Sequence, residues 1–303
     1  MKFVFIFLAF VFKIDAQEVL LDGTIYDQKT KKTIPYVHIS IMNTLKEAST
    51  DERGYFFIDV PAAYLEKKAH LSALGYKDTI VAIDKIVAEK QFGMVEEPYE
   101  LDDVIVSKPS GELEVLHPIA SSDLESGFPS ATTPWILATY FSNLDAKKKY
   151  VNKITVFLKK DENFKRPVSK FRLRVYDVDT ITKKPSRDLL HESMVLEVLT
   201  ESDFVSVDLS DFNIEMPRKG IYIGLEWLFV PYNWYVVKGK DPISNELTVE
   251  NGFAPTFGGV YNKNQNSKVM VYRMGEWTDY RVEPEENTEN LVPAVSLRLS
   301  KEK

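Results

Sequence analysis

The sequence predicts an all-β protein made of two antiparallel sandwiches, a small Greek-key one followed by a larger jelly-roll-like one. Three observations predict it. Nearly every long apolar segment alternates with period two, and helical spacing is almost absent. Glycine-bearing turns recur near the start, at Thr50-Asp-Glu-Arg-Gly54 and Gly75-Tyr76. The 303 residues are enough for two separate cores.

In chain order, residues 1–16 read as a signal peptide. Lys2 gives a positive start and Phe3 to Phe12 is an unbroken apolar run. Ala16 places a small residue before Gln17, where cleavage is expected. The run is shorter than the ~20 apolar residues that a bilayer requires. No later segment is apolar enough to cross, so no membrane-spanning segment is expected after cleavage.

Residues 17–107 read as the first sandwich. Val19 to Tyr26 is its first strand. Tyr36 to Met42 is its second, with Val37, Ile39 and Ile41 on the core face and His38 and Ser40 on the other. Tyr55 to Val60, Lys68 to Leu74 and Asp78 to Ile83 follow as strands. Pro61 to Lys67 fits one helical turn, and Leu101 to Ser107 fits a closing strand. Residues 108–133, with Pro109, Pro118 and Pro129 and no clear period, have the composition of a linker.

Residues 134–303 read as the second sandwich. Ile154, Val156 and Leu158 alternate with Lys153, Thr155 and Phe157; Phe171, Leu173 and Val175 with Arg172, Arg174 and Tyr176; and the run Ile221, Ile223, Leu225 and Trp227 with Tyr222, Gly224 and Glu226. Arg172, Arg174, Tyr222 and Glu226 occupy the opposite faces, as in sheets wetted on one side. Eight or more strands in this stretch fit a jelly-roll-like sandwich.

The first region resembles the carboxypeptidase regulatory-like family. The likeness rests on Gly23, Pro35 to Ile39, Thr50 to Phe56 and Gly75-Tyr76, with Leu101 to Val106 resembling the exit strand found in many Bacteroidota proteins. It departs from the pattern at Thr33-Ile34, where a second glycine is usual. The resemblance implies a transthyretin-like sandwich without chemistry of its own. Such domains are appended to zinc carboxypeptidases, TonB-dependent receptors and other surface proteins.

Composition excludes several classes. A net charge of −7 argues against nucleic acid as a partner. With no cysteine, the chain has no thiol nucleophile, no cysteine metal site and no cysteine for lipid anchoring. His38, His70, His117 and His191 lack the spacing of a zinc peptidase. No Gly-x-Ser-x-Gly nucleophile elbow occurs.

Two constellations remain. Tyr232, Trp234 and Tyr235, with Phe257 on the same rim, form the densest aromatic group. Such rings suit stacking on a glycan or contact with an envelope protein, and equally a loop folded over the core. Asp177, Asp179 and Asp188 are the candidate ligands for Ca2+; the same residues also suit turns that end strands. No other cofactor is expected.

The expected function is therefore non-catalytic: a secreted, periplasmic or outer-surface binding or structural accessory protein. The alternatives are a polysaccharide-processing enzyme using carboxylates of the C-terminal domain, and a regulatory subunit associated with a peptidase.

Overall fold

The structure is a computed structural model that describes residues 18–97, 113–130, 136–143, 149–240, 247–262, 268–280 and 290–301. The signal segment and the closing strand at Leu101 to Ser107 lie outside the described residues. The chain is all-β, about 59% strand and 7% helix, so sheet packing accounts for its architecture.

The N-terminal sandwich comprises β1 (Glu18–Asp27), β2 (His38–Ile41), β3 (Glu47–Ser49), β4 (Tyr55–Pro61), β5 (Lys68–Ser72), β6 (Thr79–Ala82), helix α1 (Ile83–Glu89) and β7 (Gln91–Met94). One sheet runs β4-β1-β7 and the other β3-β2-β5-β6. Leu21, Ile25, Ile39, Phe56, Val60 and Leu71 meet between them. The expected helical turn is a short 3-10 helix at Ala62–Tyr64. Helix α1 closes one end of the core with Ile83 and Ile86. Its seven residues are too short to show a helical period.

The C-terminal sandwich contains β8 (Leu113–Leu116), β9 (Ser126–Ser130), β10 (Ile136–Phe141), β11 (Lys149–Lys159), β12 (Val168–Val178), β13 (Pro185–Asp188), β14 (Met194–Leu199) and β15 (Phe204–Asp208). It continues with β16 (Ile221–Trp227), β17 (Trp234–Lys240), β18 (Leu247–Asn262), β19 (Val269–Arg273), β20 (Glu276–Asp279), β21 (Asn290–Pro293) and β22 (Val295–Lys301). One sheet runs β13-β12-β16-β10-β19-β20, with β14 also on β12. The other runs β17-β18-β11-β22-β8, with β15 on β11 and with β9 and β21 on β18. The inward faces supply Ile154, Val156, Phe171, Leu173, Ile223 and Leu297 to one core.

Two features depart from expectation. The proline-bearing stretch expected as linker contributes β8, paired with β22, and β9, paired with β18. Phe128 of β9 is buried in the core, and Pro129 is tolerated because, among the described residues, β9 pairs on one side only. The second departure concerns faces expected to be wet. Arg172, Arg174, Tyr222 and Glu226 are all buried, and every residue of β16 is buried. His38 and Ser40, on the expected outer face of β2, are buried as well. Contacts link the two faces: the Arg172 guanidinium donates through Nη2 to the Tyr36 carbonyl, and the Phe229 N–H donates to Ser49 Oγ over 3.4 Å. Each sandwich thus covers polar side chains of the other.

Candidate functional site

Beside this joint, the two sandwiches leave a groove of about 490 Å3. Its first wall begins at the turn Thr50 to Gly54. The Asp51 carboxylate accepts from the N–H groups of Arg53 at 2.8 Å and Tyr55 at 3.0 Å, which fixes the turn. Gly54 completes it at φ 75°, where a Cβ would come within 2.9 Å of the Ile25 carbonyl oxygen. The chain then enters β4, and alternation sends Phe56, Ile58 and Val60 into the core and Tyr55, Phe57 and Asp59 outward. Phe57 is left 49% exposed.

The second wall comes from the connection between β16 and β17. Asn233, fully buried, holds it in place. Its Nδ2 donates to the carbonyls of Lys170 at 2.6 Å and Leu228 at 2.9 Å, and its Oδ1 accepts from the Lys170 N–H at 2.9 Å. Arg166 Nη1 donates to the carbonyls of Pro231 and Tyr232. The loop is therefore tied to β12, and it delivers Trp234 to the groove 39% exposed. Trp234 pairs with Phe253 across the β17–β18 ladder, so both project from one face. Phe253 stacks on Phe229 with ring centroids 3.9 Å apart. Asp51, Asp59, Asn251 and Lys46 supply the polar lining.

The four aromatic residues picked from the sequence do not form one patch. Trp234 lines the groove. Tyr235, its neighbour in β17, points to the opposite side because strand side chains alternate. It is buried beside Phe164 at 5.5 Å, lies over Gly252, and donates through its hydroxyl to Asp161 Oδ2 at 2.6 Å. A Cβ on Gly252 would meet the Tyr235 ring at 2.6 Å, so only glycine lets the ring settle there. Burial, aided by the Asp161 carboxylate, pushes the Tyr235 hydroxyl pKa up. Phe257 belongs to the core, with its ring centroid 5.0 Å from Phe171 and 4.5 Å from Trp227. Tyr232 is half-buried, with Lys170 Nζ 5.6 Å from its ring centroid. Neither Tyr235 nor Phe257 can stack on a ligand.

The three aspartates are likewise engaged separately. Asp177 accepts from the Val178 N–H and pairs with Lys219 Nζ at 2.9 Å. Asp179 accepts from the N–H groups of Ile181 and Thr182, and these bonds lower its pKa. Asp188 is buried against Arg174 at 3.1 Å and accepts from the N–H groups of Val175 and Leu190. Turn and ion-pair chemistry accounts for each. Among the described residues, no group of three or more histidines and carboxylates is arranged to hold a metal ion.

The joint behind the groove is built from charge. Glu226 of β16 lies between two arginines of β12, with Oε1 3.1 Å from Arg172 Nη1 and Oε2 2.8 Å from Arg174 Nε. Burial alone would raise the Glu226 pKa, but the two guanidiniums outweigh it and hold it at about 2. Glu47 of β3 is buried on the facing side, its carboxylate accepting from Ser40 Oγ at 3.0 Å and lying 3.4 Å from His38 Nε2. Burial raises the Glu47 pKa, and the Glu226 charge adds to that. On the rim, Lys170 Nζ bridges to Glu52 Oε1 at 3.0 Å.

Phe57 was not picked out from the sequence, and Phe229 and Phe253 lie in the aromatic stretches 227–235 and 252–259 without having been singled out there. A signal for Phe57 existed: Tyr55 and Phe57 share the outward face of a strand whose other face is apolar too. For Phe229 and Phe253 the signal was their place in the two aromatic stretches, and the fold brings them to Trp234.

Fold and site define a two-sandwich β protein with an aromatic groove between its halves. Residues 21–106 match the family model of the CarboxypepD_reg-like domain, and that part of the chain is such a domain. A search of curated protein sequences returns no match.

Proposed function

We propose that this chain is a non-catalytic binding protein whose groove between the sandwiches holds part of another macromolecule, outside the cell or at its envelope. One observation carries the reading: Phe57 from the first sandwich and Trp234 from the second, both partly exposed, share a groove of about 490 Å3 with Phe229 and Phe253. That volume lies in the usual ~300–1,000 Å3 range of binding sites, and exposed aromatic rings are typical anchors of interfaces. The apolar run at Phe3 to Phe12 supports export. Among the described residues, no helix is long and apolar enough to cross a membrane.

The carboxylates of the C-terminal sandwich support a structural role over an acid–base one. Glu226 and Asp188 are buried against arginines rather than facing each other across a cleft. The test is a binding screen of the protein from Gln17 onward against an oligosaccharide array and against candidate envelope proteins, run beside Phe57→Ala and Trp234→Ala. Both variants should keep the melting temperature and lose the ligand. A ligand held equally well by both variants would place binding elsewhere and remove this reading, as would turnover of an array glycan.

A further inference from the structure

The groove is bounded by strand edges as well as by rings. Among the described residues, β4 pairs with β1 alone, β3 is the edge of the facing sheet, and β17 is the edge of the β17-β18 sheet. All three line the groove. A free edge presents a row of unpaired N–H and C=O groups, and natural proteins cover, charge or shorten such edges unless they use them. Here β4, seven residues long, carries Phe57 beside its open edge. Across the groove, the face bearing Trp234 continues along the β17–β18 hairpin to Val249 and Leu247, 67% and 78% exposed. The result is a strip of apolar side chains, interrupted by Lys238 opposite Val249, alongside an open backbone.

Charge completes the description. Asp59 stands on the outward face of β4, and no ion pair or hydrogen bond to its side chain occurs among the described residues. Asp51 is satisfied by backbone N–H groups and has no cationic partner there. Against them stands Lys46. The lining sets Glu47, Asp51 and Asp59 against Lys46, so it is acidic on balance.

Building on the binding role proposed above, we propose that the groove takes an extended polypeptide segment of a partner protein, added as a strand to the free edge of β4. Its alternate apolar side chains lie against Phe57, Trp234 and Phe253, and a lysine or arginine of the segment meets Asp59. Main-chain hydrogen bonds to β4 give affinity, and the rings select the alternate side chains.

The test pans a displayed random heptapeptide library against the full chain and remakes the best binder as an acetylated, amidated peptide. The expected binder alternates apolar residues and carries a lysine or arginine. Its affinity should fall at least tenfold on Phe57→Ala and on Trp234→Ala, and severalfold on Asp59→Lys. N-methylating its alternate amides gives the sharper readout. Methylation of one set should abolish binding, and methylation of the other should leave it nearly unchanged. Equal binding by the two methylated peptides would mean docking through side chains only and would overturn strand addition. If no heptapeptide binds but array oligosaccharides do, in a manner lost on Trp234→Ala, the inference fails and the groove remains a binding site. If neither class binds, both proposals fall.

Discussion

Replacing Glu226 with glutamine should be among the most damaging conservative substitutions in this chain. The carboxylate lies 3.1 Å from Arg172 and 2.8 Å from Arg174, and Glu226 and Arg172 are almost wholly buried. Glutamine keeps the volume and one acceptor oxygen but turns an amide N–H2 toward a guanidinium, donor against donor. It also leaves two like charges with Asp188 as the nearest carboxylate partner. Removing one member of a buried ion pair costs about 3–5 kcal/mol. For a chain of this size that lowers the melting temperature by roughly 10 °C. Urea or thermal unfolding followed by tryptophan fluorescence measures it. A second variant, Glu226→Gln with Arg172→Met, removes one guanidinium along with the carboxylate and should recover at least half of the loss. A loss below about 1 kcal/mol for the single variant would refute the claim that paired charge holds this joint.

The same group has a pH signature. Its pKa falls from 4.5 to about 2 on folding, so its contribution is fully present above the unfolded value and is lost as pH drops from about 4.5 through 2. The stability gap between the native chain and Glu226→Gln should therefore close across that window. Comparing the two chains cancels the opposite trend of Asp188, whose pKa is raised by burial, while Glu47 loses the part of its rise that the Glu226 charge supplies. Asn233→Ala strips three hydrogen bonds from the loop before β17 and should cost about 2–3 kcal/mol in denaturant unfolding, with a red shift of fluorescence as Trp234 is released to water. Gly252→Ala drives a methyl into the Tyr235 ring and should cost about 1–3 kcal/mol, whereas Gly75→Ala, which meets no atom within 4 Å, should cost less despite its φ of 81°.

Much of the fold could be read in advance because each sheet has an unambiguous apolar face. Phe171, Leu173 and Val175 could only point inward, and they do. What alternation does not reveal is the fate of the other face. Arginine and glutamate at alternate positions look alike whether they meet water or a second domain, so Arg172, Arg174 and Glu226 read as solvated. Their burial depends on the first sandwich packing over them, as where Arg172 donates to the Tyr36 carbonyl, 136 residues away in the chain. Strands as short as β3 and a helix as short as α1 leave too few residues for any period to emerge. The aromatic site was half legible. Trp234 and Tyr235, expected on a loop after Pro231, instead open β17, where adjacency turns one out and the other in, and the meeting of Trp234 with Phe57 is a product of tertiary structure.

The charged joint makes the two lobes a matched set. Expressed by itself, the front lobe would present an imidazole and an acid where a dry neighbour belongs, and the rear lobe would bare a pair of guanidiniums. Neither half is thus a module to be lifted onto an unrelated host without rewriting several side chains on its contact face. Any hinge between them would have to rehydrate those ions before it could open, which favours a rigid clamp over a pair of loosely tethered beads.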